Sequence, residues 1–212
     1  MKTALFFDLD GTLWNALTPI TSSWNKAMKD HGLPYSFTEK DVKGHMGLTP
    51  EETAPIAFPD VDLKTGLQYF HYCLESELKE LAVHPGTLYP HEFEVLETLK
   101  SRYPLYVVSN SDKGYVENYM NACRTASFFQ GHICAGDTGL SKAENIVYLQ
   151  KKIKAGQVIY IGDTEKDRNE SSKAHVLFIH ANYGFGTDFP CQYKINALEE
   201  LPEEVEKVLK DN

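Results

Sequence analysis

The sequence predicts an α/β protein in which a doubly wound parallel sheet carries an inserted all-helical segment. Four apolar runs without polar alternation, at residues 4–7, 105–108, 158–161 and 176–179, have the character of strands buried on both faces. Helical patterns separate the later runs: Phe93, Leu96 and Leu99 precede the second, and Ile146, Leu149 and Ile153 precede the third. Strand and helix therefore alternate, the signature of a Rossmann-like core. The third observation is the first interval. Roughly ninety residues separate the first two runs, far more than one crossover helix needs.

That interval reads as helices throughout. Ile20, Trp24, Ala27 and Met28 line one helical face, and the pattern stops at His31-Gly32-Leu33-Pro34. Thr49-Pro50-Glu51-Glu52 is a helix start, with an N-cap, a proline at the first position and a glutamate three after the cap. Leu63, Leu67, Phe70, Leu74, Leu78 and Leu81 mark a long amphipathic helix that ends before His84-Pro85-Gly86. Residues 15–84 are thus expected to form a helical domain, and residues 1–14 with 85–212 the sheet domain.

Bulk properties narrow the function. With 212 residues, 42% hydrophobic and 24% charged, the chain can bury one substantial core. A net charge of −9 without any basic run disfavours nucleic acid and anionic membranes as partners. No leader-like hydrophobic segment precedes the first strand and no apolar stretch nears membrane-spanning length, so a cytoplasmic location is expected. Cys73, Cys123, Cys134 and Cys191 show neither CxxC spacing nor a dense framework, which favours reduced thiols. The histidines show no metal-ligand spacing.

Candidate chemistry gathers at strand ends. The first run leads into Asp8-Leu9-Asp10-Gly11-Thr12, and in extended geometry Asp8 and Asp10 lean to one side, where a cation is needed between them. The same residues also suit a solvated turn. The second run leads into Ser109-Asn110-Ser111-Asp112, whose hydroxyl and amides suit phosphate oxygens; a plain N-cap at Ser111 or Asp112 is the alternative. Lys142 opens a helix, an unfavourable position for a cation unless an anion faces it. The third run leads into Gly162-Asp163-Thr164-Glu165-Lys166-Asp167, and one helical turn would bring Asp163 and Asp167 to one side. Together with Asp8 and Asp10 they form an oxygen-rich set suited to a hard divalent cation. All four stations fall on the same rim of one sheet, where open α/β sheets bind ligands.

Taken in order, FDLDGTL, VVSNSD, Lys142 and YIGDTEKD resemble the four signature motifs of the haloacid dehalogenase-like (HAD) hydrolase superfamily. The insertion resembles the helical C1-type cap of its phosphatase branch. The resemblance implies a magnesium-dependent phosphatase acting on a small phosphorylated metabolite, of the phosphoglycolate phosphatase type, as a monomer or homodimer. It implies Asp8 as nucleophile, Asp10 as general acid and base, and Mg2+ held by the Asp8 carboxylate, the Asp10 carbonyl and Asp163. Asp167 would orient a metal-bound water or Lys142, Ser109 and Asn110 would grip the phosphoryl group, and Thr12 would help place Asp10. In the cap, Lys43 and His45 of the Lys43-Gly44-His45-Met46-Gly47 loop are candidates for reading the substrate. Trp14 falls near the hinge, either as a wall of the entrance or as a packing residue. The alternatives are a phosphosugar mutase, a phosphonate hydrolase and a non-catalytic phosphoacceptor module.

Overall fold

A computed structural model describes residues 2–212. Its centre is a six-stranded, all-parallel sheet made of β1 (Thr3–Phe7), β4 (Leu105–Ser109), β5 (Gly131–Cys134), β6 (Gln157–Gly162), β7 (Leu177–Ala181) and β8 (Lys194–Ile195). Their order across the sheet is β5-β4-β1-β6-β7-β8, so the chain winds outward in both directions from β1. Phe7 pairs in register with Val107 on one side and Ile161 on the other. β1 is central and buried on both faces, which is why residues 4–7 lack polar alternation.

Successive side chains of each strand feed opposite layers. Leu5, Phe7, Val107 and Ile161 pack with Leu96, Val116 and Val205 from α5 (Glu92–Lys100), α6 (Tyr115–Ala122) and α10 (Leu201–Asp211). Phe6, Val108 and Tyr160 face the other way, onto Ile146 and Leu149 of α8 (Lys142–Ile153) and Ala174 after α9 (Glu165–Lys173). A one-turn α7 (Ala135–Thr138) follows β5. The doubly wound parallel fold expected from the sequence is the fold observed. Two of its strands were not expected. β5 and β8 are four and two residues long and lie at the two edges, where a partly exposed strand carries little apolar signal.

The chain leaves the sheet domain through β2 (Trp14–Asn15) and returns through β3 (Thr87–Leu88), and the two pair antiparallel with Trp14 opposite Leu88. Between them lie α1 (Leu17–Asp30), α2 (Glu39–His45), α3 (Pro50–Ala57) and α4 (Leu63–Val83). Ile20, Trp24, Ala27 and Met28 of α1 are all buried. The capping box forms as the sequence requires: Thr49 accepts from the Glu52 amide while the Glu52 carboxylate accepts from the Thr49 amide at 2.8 Å.

Two faces differ from expectation. Leu63 is 52% exposed and Phe93 42% exposed, and both sit in the first turn of their helices. The buried side of α4 instead runs through Phe70, Cys73, Glu77 and Leu81, so an acid occupies a core-facing position. Among the described residues no helix is long and apolar enough to cross a membrane, and the four cysteines are unpaired.

Candidate active site

Asp8 follows β1 directly and its amide donates to the Ile161 carbonyl at 2.8 Å, so the neighbouring strand fixes where the carboxylate emerges. Lys142 is the first residue of α8, behind the Ser141 cap. Its side chain is 2% exposed, and its ammonium donates to Asp8 Oδ1 at 2.8 Å and Asp167 Oδ1 at 2.6 Å. These two carboxylates are the anionic partners that a cation at a helix start requires.

Asp163 and Asp167 are brought together by a route other than one helical face. Asp163 lies between β6 and the Thr164 cap, outside α9, whereas Asp167 is the capping-box residue of that helix. Asp167 Oδ2 takes the Thr164 amide and hydroxyl, which leaves Oδ1 for Lys142. Asp163 Oδ2 accepts from the amides of Phe185 and Gly186 at 2.6 and 3.2 Å. Its other oxygen, Oδ1, is buried without a partner. Gly11 makes this packing possible. It adopts φ +80°, and a Cβ there would meet Asp163 Oδ2.

The acids crowd. Asp8, Asp163 and Asp167 each place a carboxylate oxygen within 4.8 Å of the others. Burial, then the Asp167 charge, pushes Asp8 up to about 7 although Lys142 pulls the other way. Burial, then Asp167 and Asp8, holds Asp163 well above the usual carboxylate range. Burial also opposes the Lys142 ammonium, but the Asp167 and Asp8 charges outweigh it and hold this lysine well above its ordinary value. One ammonium faces three carboxylates, a charge imbalance that a second cation would relieve. An all-oxygen donor set with an unpartnered buried oxygen fits a small hard divalent ion.

Asp10 is clamped in a way no sequence pattern announced. Its Oδ1 accepts from the Trp14 indole at 2.9 Å and the Tyr115 hydroxyl at 2.7 Å. Burial lifts Asp10 to about 6, and these two bonds restrain the rise. Thr12, expected to place Asp10, has its hydroxyl buried without a partner, and its carbonyl accepts from Tyr183. Trp14 is fully buried, so it packs and anchors Asp10 rather than walling an entrance. The local signal was the four-residue spacing between Asp10 and Trp14; Tyr115 had none.

Ser109 ends β4 and Asn110 follows it, beside this cluster. Ser109 Oγ accepts from the Ser111 amide at 3.1 Å, and Asn110 donates through Nδ2 to the Gly47 carbonyl at 2.9 Å, joining sheet domain to insertion. Neither Ser111 nor Asp112 caps a helix, since α6 begins after Gly114. A cavity of about 80 Å³ lies between Asp8, Asp10, Ser109 and Asn110 and the insertion, whose lining includes His45 and Glu77. Lys43 is not part of that lining: it is exposed, with its ammonium 5.9 Å from the centre of the Phe185 ring. Lys43 and His45 belong to α2, and the loop begins only at Met46. Glu77, four residues before Leu81 and seven after Phe70, shares their face of α4.

Residues 5–181 match the haloacid dehalogenase-like hydrolase family, and the chain belongs to it. Among its relatives, a phosphoglycolate phosphatase of Haemophilus influenzae is 24% identical over 200 residues, covering 87% of each chain. Another phosphoglycolate phosphatase, of Pasteurella multocida, is 26% identical over 196 residues with the same coverage. A haloacid dehalogenase-like hydrolase from Streptococcus pneumoniae superposes with a TM-score of 0.81 at 25% identity, covering 96% of this chain and 98% of its own. A predicted phosphoglycolate phosphatase from Haemophilus somnus shares the fold with a TM-score of 0.82 at 23% identity, with the same coverage of both chains.

Proposed function

We propose that this protein is a magnesium-dependent phosphatase of a small phosphorylated metabolite, working through a phosphoryl group carried on Asp8. The observation that carries the reading is the buried Lys142 ammonium shared by Asp8 and Asp167, beside the partly unpartnered Asp163. A carboxylate attacking a phosphate dianion meets charge repulsion, and a fixed cation in a water-poor site offsets it. The phosphatase relatives support the same class of substrate.

Asp8 attacks phosphorus, and the bond to the ester oxygen breaks as Asp10 gives that oxygen its proton. Asp10 then removes a proton from water, whose oxygen attacks the phosphoryl group and frees Asp8 and inorganic phosphate. An Asp10 lifted to about 6 suits both halves of this exchange. The Trp14 and Tyr115 bonds hold Oδ1 in one orientation through both. Mg2+, when bound by the Asp8 carboxylate, the Asp10 carbonyl and Asp163, supplies positive charge against the phosphate oxygens. Asp167 fixes the Lys142 ammonium, and Ser109 and Asn110 take the phosphoryl oxygens. Residues 15–84 act as a cap that excludes water and reads the leaving alcohol, over a core of residues 1–14 and 85–212. Of the two cap candidates, His45 is the one that reaches the cavity.

Phosphate release from short phosphomonoesters tests this reading. We expect turnover with Mg2+, loss of turnover in excess EDTA and recovery when Mg2+ is restored. Undiminished hydrolysis in EDTA overturns the metal assignment.

A further inference from the structure

The cavity between the two domains has an unusual charge lining. Four carboxyl groups line it: Asp8, Asp10 and Asp112 from the sheet domain and Glu77 from α4. Among the described residues no lysine or arginine lines it. The rest of the insertion's contribution is largely apolar and aromatic, with Ile20, Trp24, Phe70 and Leu74 around Glu77.

Glu77 is only 5% exposed. Its Oε2 accepts from the Trp24 indole at 2.6 Å, and Oε1 receives no hydrogen bond from the protein. Glu77 lines the cavity, so Oε1 is open to a donor placed there. A second polar side chain faces the same space. His45 lines the cavity, is more than nine-tenths buried, and its Nδ1 has no partner. Burial holds this imidazole below its ordinary range, so it adds no positive charge at neutral pH.

The leaving group must occupy this space, because the acids of the reaction line its other end. The room, about 80 Å³, suits a short alcohol. A carboxylate on that alcohol would sit among four acids, with the Lys142 ammonium already held by Asp8 and Asp167. An ammonium would pair with Glu77, donate to its open Oε1, and lie against aromatic rings that favour cations.

Building on the phosphatase reading above, we propose that Glu77 selects the leaving group, and that the substrate is the phosphate ester of a short amino alcohol whose ammonium donates to Glu77 Oε1. Burial, reinforced by the Asp10 and Asp112 charges, pushes the free Glu77 up to about 8, and a cationic partner would draw it back to the ionised form.

The test compares phosphate release from 2-aminoethyl phosphate, propyl phosphate and 2-phosphoglycolate, with p-nitrophenyl phosphate as an ester whose activated leaving group needs no recognition. For the unmodified enzyme with Mg2+, kcat/KM is expected to be at least tenfold higher for 2-aminoethyl phosphate than for 2-phosphoglycolate, with propyl phosphate between them. In Glu77→Gln the ratio of 2-aminoethyl to propyl phosphate is expected to fall at least tenfold. Preference for 2-phosphoglycolate, equal use of the amino and propyl esters, or an unchanged ratio in Glu77→Gln overturns the proposal. Should that variant fail to fold, the ranking by the unmodified enzyme decides alone. Hydrolysis of p-nitrophenyl phosphate without the expected ranking overturns the selectivity and leaves the phosphatase reading standing. No hydrolysis of any ester overturns both.

Discussion

Replacing Lys142 with methionine removes one buried ammonium and keeps most of the side chain's volume. Among the described residues Lys142 is the only cation bonded to the Asp8 and Asp167 carboxylates, at 2.8 and 2.6 Å, and all three side chains are buried. Breaking a buried ion pair from one side leaves the other charge uncompensated and costs about 3–5 kcal/mol. Here two carboxylates lose their partner while Asp163 remains beside them, so the upper end of that range applies. Against a typical total of about 5–15 kcal/mol, the loss is large. With a urea slope of about 2–3 kcal/mol per molar, the unfolding midpoint should fall by about 1.5–2.5 M. The assay is urea unfolding followed by circular dichroism in EDTA at pH 8. Asp8→Asn makes the decisive contrast, because it removes one of the crowded negative charges and leaves an oxygen to accept from Lys142. Its midpoint should match or exceed the unmodified chain's. In the double variant, Asp8→Asn should recover at least 1 kcal/mol of the loss caused by Lys142→Met. A Lys142→Met midpoint within 0.3 M (about 0.8 kcal/mol) of the unmodified chain would refute the electrostatic reasoning. So would an equal fall in Asp8→Asn.

Tyr115→Phe deletes one of the two bonds on Asp10 Oδ1 while keeping the ring against Trp14. A hydrogen bond to a charged group is worth about 1.5–3 kcal/mol, so kcat on an alkyl phosphate should fall about 10- to 100-fold with an unchanged fold. An unchanged kcat would show that the phenol does not position Asp10. Glu92 supplies a pH prediction remote from the site. Burial pushes it up to about 8 from a usual 4.5, so the folded chain favours its protonated form. That stability is complete below pH 4.5 and is lost as pH rises through 8, on the order of 3–5 kcal/mol. Glu92→Gln keeps an acceptor for the Tyr119 hydroxyl at neutral charge, so its advantage over the unmodified chain should grow between pH 5 and pH 8.5 in urea titrations. A constant difference across that range would contradict the assignment.

Much of this site was legible because its members follow strands whose burial on both faces leaves an unmistakable apolar run. Asp8, Ser109 and Asp163 each come directly after or at the end of such a run, so one rim could be drawn from the sequence. Lys142 was legible through a local conflict, a cation at a helix start, which the two carboxylates resolve. What stayed hidden depended on distance or brevity. Tyr115 reaches Asp10 across 105 residues, and nothing local to either marks the bond. Asp163 stands before α9 rather than on it, since the capping box takes Asp167 and Thr164 and starts the helix later. Gly131–Cys134 and Lys194–Ile195 are too short, and too near the sheet edges, to show the pattern that marks the central strands. Glu77 was masked by its neighbours: the leucine pattern of α4 reads as one apolar stripe, and the buried face turns slightly away from it to include the acid.

The proposed reaction depends on Asp8 carrying the phosphoryl group. Enzyme mixed with a 32P-labelled phosphomonoester and Mg2+, quenched in acid within milliseconds and digested, tests it most directly. The label is expected on the peptide that contains Asp8, at a level that decays on a chase with unlabelled substrate, and it should be absent from Asp8→Asn. Label on another residue, or hydrolysis retained by Asp8→Asn, would contradict the account.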